Sequence, residues 1–300
     1  MMREPFFSVV IPTYNRAESI MFTLDSVFSQ TYRNYEVIVV DDGSTDNTEA
    51  VVRTIQDERL RYTRIPNSER GAARNAGIAL SKGLYVTFLD SDDVFFPDHL
   101  AVVSSGLVEN KNPEIYHQAY GIRENGIITE KWTSFGGKDI NTALLTIGNV
   151  MSCMGVFVRC DILSSLKFNE DRNLAGFEDW DLWIRLAARY PIVYSPKVTS
   201  ALVHHSNRSV SNIPIAGMRT KVGKLLQTTF GDDMVRMKFG RLLPRFSALV
   251  LSYASLHLSS SAERGAKRVA VDFLYRAVRR YPMQLFTRRT MVIIRNLLFR

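Results

Sequence analysis

An α/β fold is predicted, in the form of a doubly wound, mainly parallel sheet followed by a helical C-terminal region. Three observations carry this. Strand-like and helix-like apolar patterns alternate through the front of the chain, its apolar strands run on without polar alternation, and helical patterns take over from residue 215.

The first strand is FSVVIP, a β-branched run closed by Pro12. Residues 16–31, RAESIMFTLDSVFSQT, carry apolar side chains at helical spacing, and NYEVIVVDDGS then gives a second continuous apolar run. The order reads strand, helix, strand. In STDNTEAVVRTI, Asp46 and Glu49 stand at capping-box spacing and predict a helix start. A third helix is expected in GAARNAGIALSK and a further strand in LYVTFLD. Residues 97–214 mix turns at GIRENG and FGGK, a strand in GVFVR and a helix in GFEDWDLWIRLAARYP. They are read as part of one domain, 1–214. Residues 215–300, broken near Gly231, Pro244 and Pro282, form the helical region.

A chain of 300 residues with 46% hydrophobic composition can bury a substantial core, in one large or two modest domains. The net charge of +8 is uneven: 215–300 holds 17 Lys and Arg against 4 Asp and Glu, a balance of +13, which leaves −5 for the front. A basic tail of this kind points to a polyanionic surface, and no recognised nucleic-acid-binding module accompanies it. Helices with cations flanking apolar faces, as in KRVAVDFLYRAVRRYP and FTRRTMVIIRNLLFR, suit an anionic membrane surface; a soluble subdomain or an oligomer interface is the alternative. Cys153 and Cys160 match neither a zinc ribbon nor a redox pair, so a reducing, cytoplasmic compartment is expected. The start lacks a secretory pattern, and the most apolar stretch, 246–258, falls short of a bilayer span.

Asp90, Asp92 and Asp93 crowd three carboxylates behind an apolar strand. Like charges so close raise one another's pKa unless a cation or hydrogen-bond donors answer them, so a partner is expected there. Asp41 and Asp42 stand at another strand's carboxyl end, where ligands of open α/β sheets bind.

The pieces VVIPTYNR, VIVVDDGSTDNT, GAARNAGI, FLDSDD and GFEDWDLWIRLA, in this order, resemble the inverting nucleotide-sugar glycosyltransferases of family two, which have the GT-A fold. The resemblance covers roughly residues 6–210. It implies metal-dependent transfer of a sugar from a nucleotide donor, expected to be a UDP-sugar, to a saccharide or lipid-linked hydroxyl acceptor. It implies nucleotide-sugar contacts by Pro12, Thr13, Tyr14, Asn15, Asp41, Asp42, Arg74, Asp90 and Ser91. It also implies that Asp92 holds Mg²⁺ or Mn²⁺, with His204 or the adjacent His205 as a second ligand, and that Asp179, beside Glu178, is the general base.

The chemistry agrees. A carboxylate can accept the imide N–H of uracil, an aromatic ring can stack on it, and a hard dication suits carboxylate and phosphate oxygens. Apolar neighbours such as Phe177 and Trp180 would raise the Asp179 pKa toward a useful value for a base. Bland readings exist for each piece: strand-end turns at Asp41 and Asp42, an acidic turn at 90–93, helix-dipole compensation at 178–179, core packing for Trp180 and Trp183. The rival functions are a catalytically silent nucleotide-binding scaffold and a sugar nucleotidyltransferase. Against the second, IPTYNRAES lacks the glycine-rich phosphate loop such enzymes use.

Overall fold

The computed structural model describes residues 5–131, 135–204 and 213–299. β1 (Phe7–Thr13), α1 (Ile20–Phe28), β2 (Tyr35–Asp41), α2 (Thr48–Val52) and β3 (Leu60–Arg64) come first. α3 (Glu69–Leu80), β4 (Tyr85–Phe88), the short β5 (Val94–Phe95) and α4 (His99–Glu109) follow. Next are β6 (Ile115–Gln118), β7 (Tyr120–Glu124), β8 (Ile127–Lys131), α5 (Ile140–Thr146), β9 (Val156–Arg159) and α6 (Cys160–Leu163). α7 (Glu178–Arg189), β10 (Ile192–Ser195) and β11 (Ser200–Val203) close the α/β part. The remaining helices are α8 (Ile215–Gly231), α9 (Asp233–Phe239), α10 (Leu243–Ser259), α11 (Ala266–Arg280) and α12 (Arg288–Phe299).

The main sheet has seven strands in the order β10-β6-β9-β4-β1-β2-β3. β1 lies parallel to β2 and β4, with Phe7 opposite Tyr35 and Thr13 opposite Asp41, while β9 runs antiparallel to β4 and β6. Every residue of β1 and β2 is buried, which is why neither shows polar alternation. Side chains still alternate between faces. Val9, Ile11, Val37 and Val39 join one core cluster on α1's side, and Val10, Ile38 and Val40 join the other. A second sheet, β5-β11-β7-β8, lies apart.

β3 was not anticipated, because LRYTR holds only two apolar residues and pairs as the outermost strand, partly exposed along its length. The capping box also differs. Asp46 accepts from the Thr48 backbone N–H at 3.0 Å, but Glu49 turns away to Arg53 at 2.8 Å, and the helix starts after Asn47.

Trp180 and Trp183 are core residues, buried as the packing interpretation of that helix expects. The C-terminal helices share this core: the Trp180 ring meets Phe246 at 5.4 Å and Tyr253 at 5.9 Å. The stretch 246–258 lies in α10, which buries most of its length among α5, α8, α11 and α12. Among the described residues no helix is long and apolar enough to cross a membrane.

Candidate active site

A cavity of ≈ 650 Å³ opens beyond the carboxyl ends of β1 and β4, where strands that pair inside the sheet hand over to loops. Its walls include Pro12 and Thr13 at the end of β1 and Tyr14 after it; Asp42 after β2; Asp90, Ser91 and Asp92 after β4; and Glu178 and Asp179 at the start of α7. Arg74 reaches it from α3 and His204 from the end of β11.

α3 shows how a local sequence builds the site. A Cβ on Gly77 would run into the Val10 side chain, so glycine lets α3 press against β1. A Cβ on Gly71 would stand 2.6 Å from the Asn169 carbonyl, so the loop before α7 also comes close. Asn75 fastens that loop, donating to the Phe168 carbonyl at 2.9 Å and accepting from the Phe168 N–H at 3.0 Å. Between these contacts Arg74 is carried, fully buried, into the cavity wall.

Its guanidinium donates to Glu178 Oε1 at 2.8 Å and to Asp90 Oδ1 at 2.7 Å, over the face of Phe168. These carboxylates hold the arginine charged despite its burial, and its pKa lies well above the ordinary value. Arg70, one turn earlier, points the same way, with Nε 3.8 Å from Glu178 Oε1. Glu178 Oε2 also accepts from the Gly176 N–H.

The crowded turn is thus answered mainly by protein donors. Arg74 takes Asp90, the Val203 N–H donates to Asp93 Oδ1 at 2.9 Å, and Arg16 lies 3.7 Å from Asp92 Oδ2. Of the three carboxylates, Asp93 is turned into structure between β5 and β11.

Asp179 is set differently. Its Oδ2 accepts from Asn149 Nδ2 at 2.9 Å and its Oδ1 from the Trp180 N–H at 2.6 Å. Burial first, and the neighbouring Glu178 charge second, push its pKa up to about 6, with Arg74 opposing. Burial likewise raises Asp42, whose Oδ1 accepts from the Ser68 N–H at 2.6 Å.

Two expected contacts do not reach the cavity wall. Asp41 is fully buried, accepting from the Ser44 N–H at 2.7 Å and the Tyr62 hydroxyl at 2.6 Å, because the end of β2 turns its side chain under the following loop. Asn15 takes a positive φ of 50° and braces the facing loop, its Oδ1 accepting from the Thr45 N–H at 2.8 Å. Tyr14, 46% exposed, remains as the aromatic surface at the rim.

His204 lines the cavity, with Nε2 3.8 Å from Glu124 Oε1. His205 lies outside the described residues. Among the described residues no three His, Cys, Asp or Glu side chains converge as a preformed metal cluster. The donor set still fits a hard dication. Mg²⁺ and Mn²⁺ take oxygen ligands, and Mg²⁺ in phosphate sites is commonly held by one or two carboxylates plus substrate oxygens and water. Asp92 lines the cavity, with Arg16 3.7 Å from its Oδ2.

Sequence reasoning missed Arg16, Arg70 and Asn149. Arg16 and Arg70 lie in or beside quoted motifs, so their position was signalled although their role was not. Asn149 sits in no motif, and only the fold brings it to Asp179.

Sheet order, cavity position and paired carboxylates define the GT-A class. The family description "Glycosyl transferase family 2" matches residues 8–165, more than half of the chain, and the chain belongs to that family. An uncharacterized glycosyltransferase of Rickettsia bellii is 35% identical over 63% of this chain and 27% of its own length. The E. coli UDP-Glc:α-D-GlcNAc-diphosphoundecaprenol β-1,3-glucosyltransferase WfgD is 29% identical over 62% of this chain and 71% of its own. The chain thus spans about a third or less of the length of its Rickettsia relatives. In structure, S. aureus TarS in complex with UDP-GlcNAc aligns with TM-score 0.71 and 19% identity, covering 97% of this chain and 89% of that one. The Pyrobaculum calidifontis mannosyltransferase PcManGT, in complex with GDP-Man and Mn²⁺, aligns with TM-score 0.57 and 21% identity over 99% and 88%.

Proposed function

We propose that the protein transfers a sugar from a nucleotide donor, a UDP-sugar, to a hydroxyl acceptor with inversion at the anomeric carbon. The carrying observation is Asp179: a carboxyl tuned to about 6, facing a cavity whose other walls present Asp42, Asp90 and Asp92. A base with a pKa near the working pH takes up a hydroxyl proton with useful driving force. Burial, seconded by the Glu178 charge, keeps that pKa raised, and Asn149 fixes the carboxylate's direction.

Asp42, not Asp41, is the carboxylate available to accept an imide N–H, with Tyr14 offering a stacking face. Asp90, anchored by Arg74, is held rigid for a ribose contact. Asp92, with His204 as a further ligand, would hold a divalent cation, which would supply charge neutralisation for the departing diphosphate. Arg16 and Arg70 add fixed positive charge on the same side. The acceptor is a saccharide or a lipid-linked sugar, such as the printed name of WfgD describes for that relative. The basic region 215–300 would bring the protein, as a peripheral component, to the inner face of a membrane.

The test is incubation of the protein with a panel of nucleotide sugars and lipid-linked acceptors, with and without Mn²⁺. Released UDP with a glycosylated product is the expected result. In a parallel incubation, pyrophosphate released from UTP and a sugar 1-phosphate would establish nucleotidyl transfer instead, and nucleotide-sugar binding without turnover would establish a silent scaffold.

A further inference from the structure

α11 and α12 bury one side each and leave the other uncovered. On α11 the small residues Ala266, Ala270 and Ala277, with Phe273, pack inward against α10. On the opposite side Arg268, Val271, Tyr275 and Arg279 follow one another at helical spacing, all exposed. α12 repeats the arrangement, with Thr290, Ile293 and Asn296 inward and Arg288, Met291, Arg295 and Leu298 outward. The turn between the helices adds Met283 and Phe286, exposed at 59% and 73%. Large apolar side chains and arginines therefore interleave along the outward sides of both helices, which pack on α10 in common.

Its charge is one-sided. Asp272 is paired with Arg276 at 3.0 Å, and after it the sequence contains seven arginines and no acidic residue. Arg289 alone of the described ones is drawn inward, over the Tyr253 ring at 3.8 Å.

Such a face selects its occupant by charge. A second copy meeting it symmetrically would set arginine against arginine, which disfavours a self-interface. Nucleic acid would answer the cations but not the aliphatic Val271, Met291 and Leu298, which offer nothing to phosphate or base edges. A bilayer interface with anionic headgroups answers both, taking Tyr275, Phe286 and Met291 at the acyl boundary and the arginines among the headgroups.

We infer that the outward sides of α11 and α12, with the turn between them, form a docking surface for an anionic lipid bilayer, without insertion of a spanning helix. This localises the membrane contact of the proposed function to these two helices. Its test reads binding alone, so loss of vesicle binding and loss of sugar transfer are separate results.

The full chain is sedimented with vesicles of phosphatidylcholine, and with vesicles in which about a third of the lipid is phosphatidylglycerol. Partitioning onto the anionic vesicles only, weakening as salt is raised, is expected. Neutralising one exposed arginine, Arg279→Gln or Arg295→Gln, weakens partitioning by about fivefold, which corresponds to ~1 kcal/mol per cation at such a surface. Phe286→Ser weakens it with no change of charge, and since all three side chains are exposed, the thermal melt should stay that of the parent. Equal binding to neutral vesicles, no binding, or unaltered binding by both kinds of variant would overturn the inference. So would a dimer in solution that these substitutions dissociate.

Discussion

Burial first, and the Glu178 charge second, hold the Asp179 carboxyl up at about 6 against an ordinary 3.8, and that has consequences for both stability and rate. As pH rises from near 4 to about 6, the unfolded chain releases this proton while the native chain keeps it, so native stability from this group falls as pH rises. Asp179→Asn removes that penalty. The variant is expected to melt higher than the parent above about pH 6 and no higher near pH 4, as thermal melts across pH would show. It is also expected to lose transfer while still binding UDP, and the parent's rate should rise through an acid limb near pH 6. Undiminished turnover in the variant would remove Asp179 from the base role. Arg74 is the opposite case, a charge whose value is structural. Arg74→Met would leave Glu178 buried without its closest cation and cost about 3–5 kcal/mol in urea unfolding. Much of this residue-level picture was legible: the motifs GAARNAGI, FLDSDD and GFEDWDLW contain Arg74, Asp90, Asp92 and Asp179. Their pairing was not, because Arg74 and Glu178 are 104 positions apart and only the closed fold sets them 2.8 Å from each other. The choice between Asp41 and Asp42 was equally hidden, since both stand at one strand end, both are buried, and backbone direction alone decides which side chain lines the cavity.

α3 shows how an element can be read correctly and still surprise. Its helical pattern was evident, yet the use of its glycines depends on β1 and on the loop before α7, neither of which is near in sequence. Gly77→Ala is expected to destabilise by about 1–3 kcal/mol, because the added methyl meets Val10 in a packed interface rather than open space. The helix propensity of alanine would favour the variant by about 1 kcal/mol, so the sign of the measured change decides which effect wins. Val10→Ala in the same chain should return part of the loss, and a double-mutant cycle by chemical denaturation measures that coupling. Had the interface been loose, Gly77→Ala would stabilise. β3 failed to show for a related reason. As the outermost strand it buries little, so LRYTR carries no long apolar run, and its place is set by pairing with β2. Propensity sees side chains, whereas an outer strand is held largely by its backbone ladder.

Across the molecule, the count of charges correctly separated a basic region from an acidic front but said nothing of how they pack. Leu225 on α8, Val235 on α9 and Phe246 on α10 belong to the same buried cluster as Trp180 and Trp183 of α7. Polar ties follow the same route: Lys224 pairs with Asp171 at 2.9 Å, and Lys221 donates to the Ala175 carbonyl, both in the loop that leads to Glu178 and Asp179. The helical region therefore holds the base from behind as well as carrying the outer charged face. A chain ending at Pro214 would uncover the Trp180 side of α7 and free the loop before it. Such a fragment is expected to lose its cooperative melt and its near-ultraviolet circular dichroism while retaining far-ultraviolet signal, the behaviour of a compact state without fixed packing. Both large aromatic contacts of Trp180 from this region would be gone, together with the packing of Leu225, Val235 and Phe246 in the shared core, against a folding margin of only about 5–15 kcal/mol. If the fragment instead melted cooperatively and bound UDP as the full chain does, residues 1–214 would be a self-sufficient domain and the helices a removable attachment.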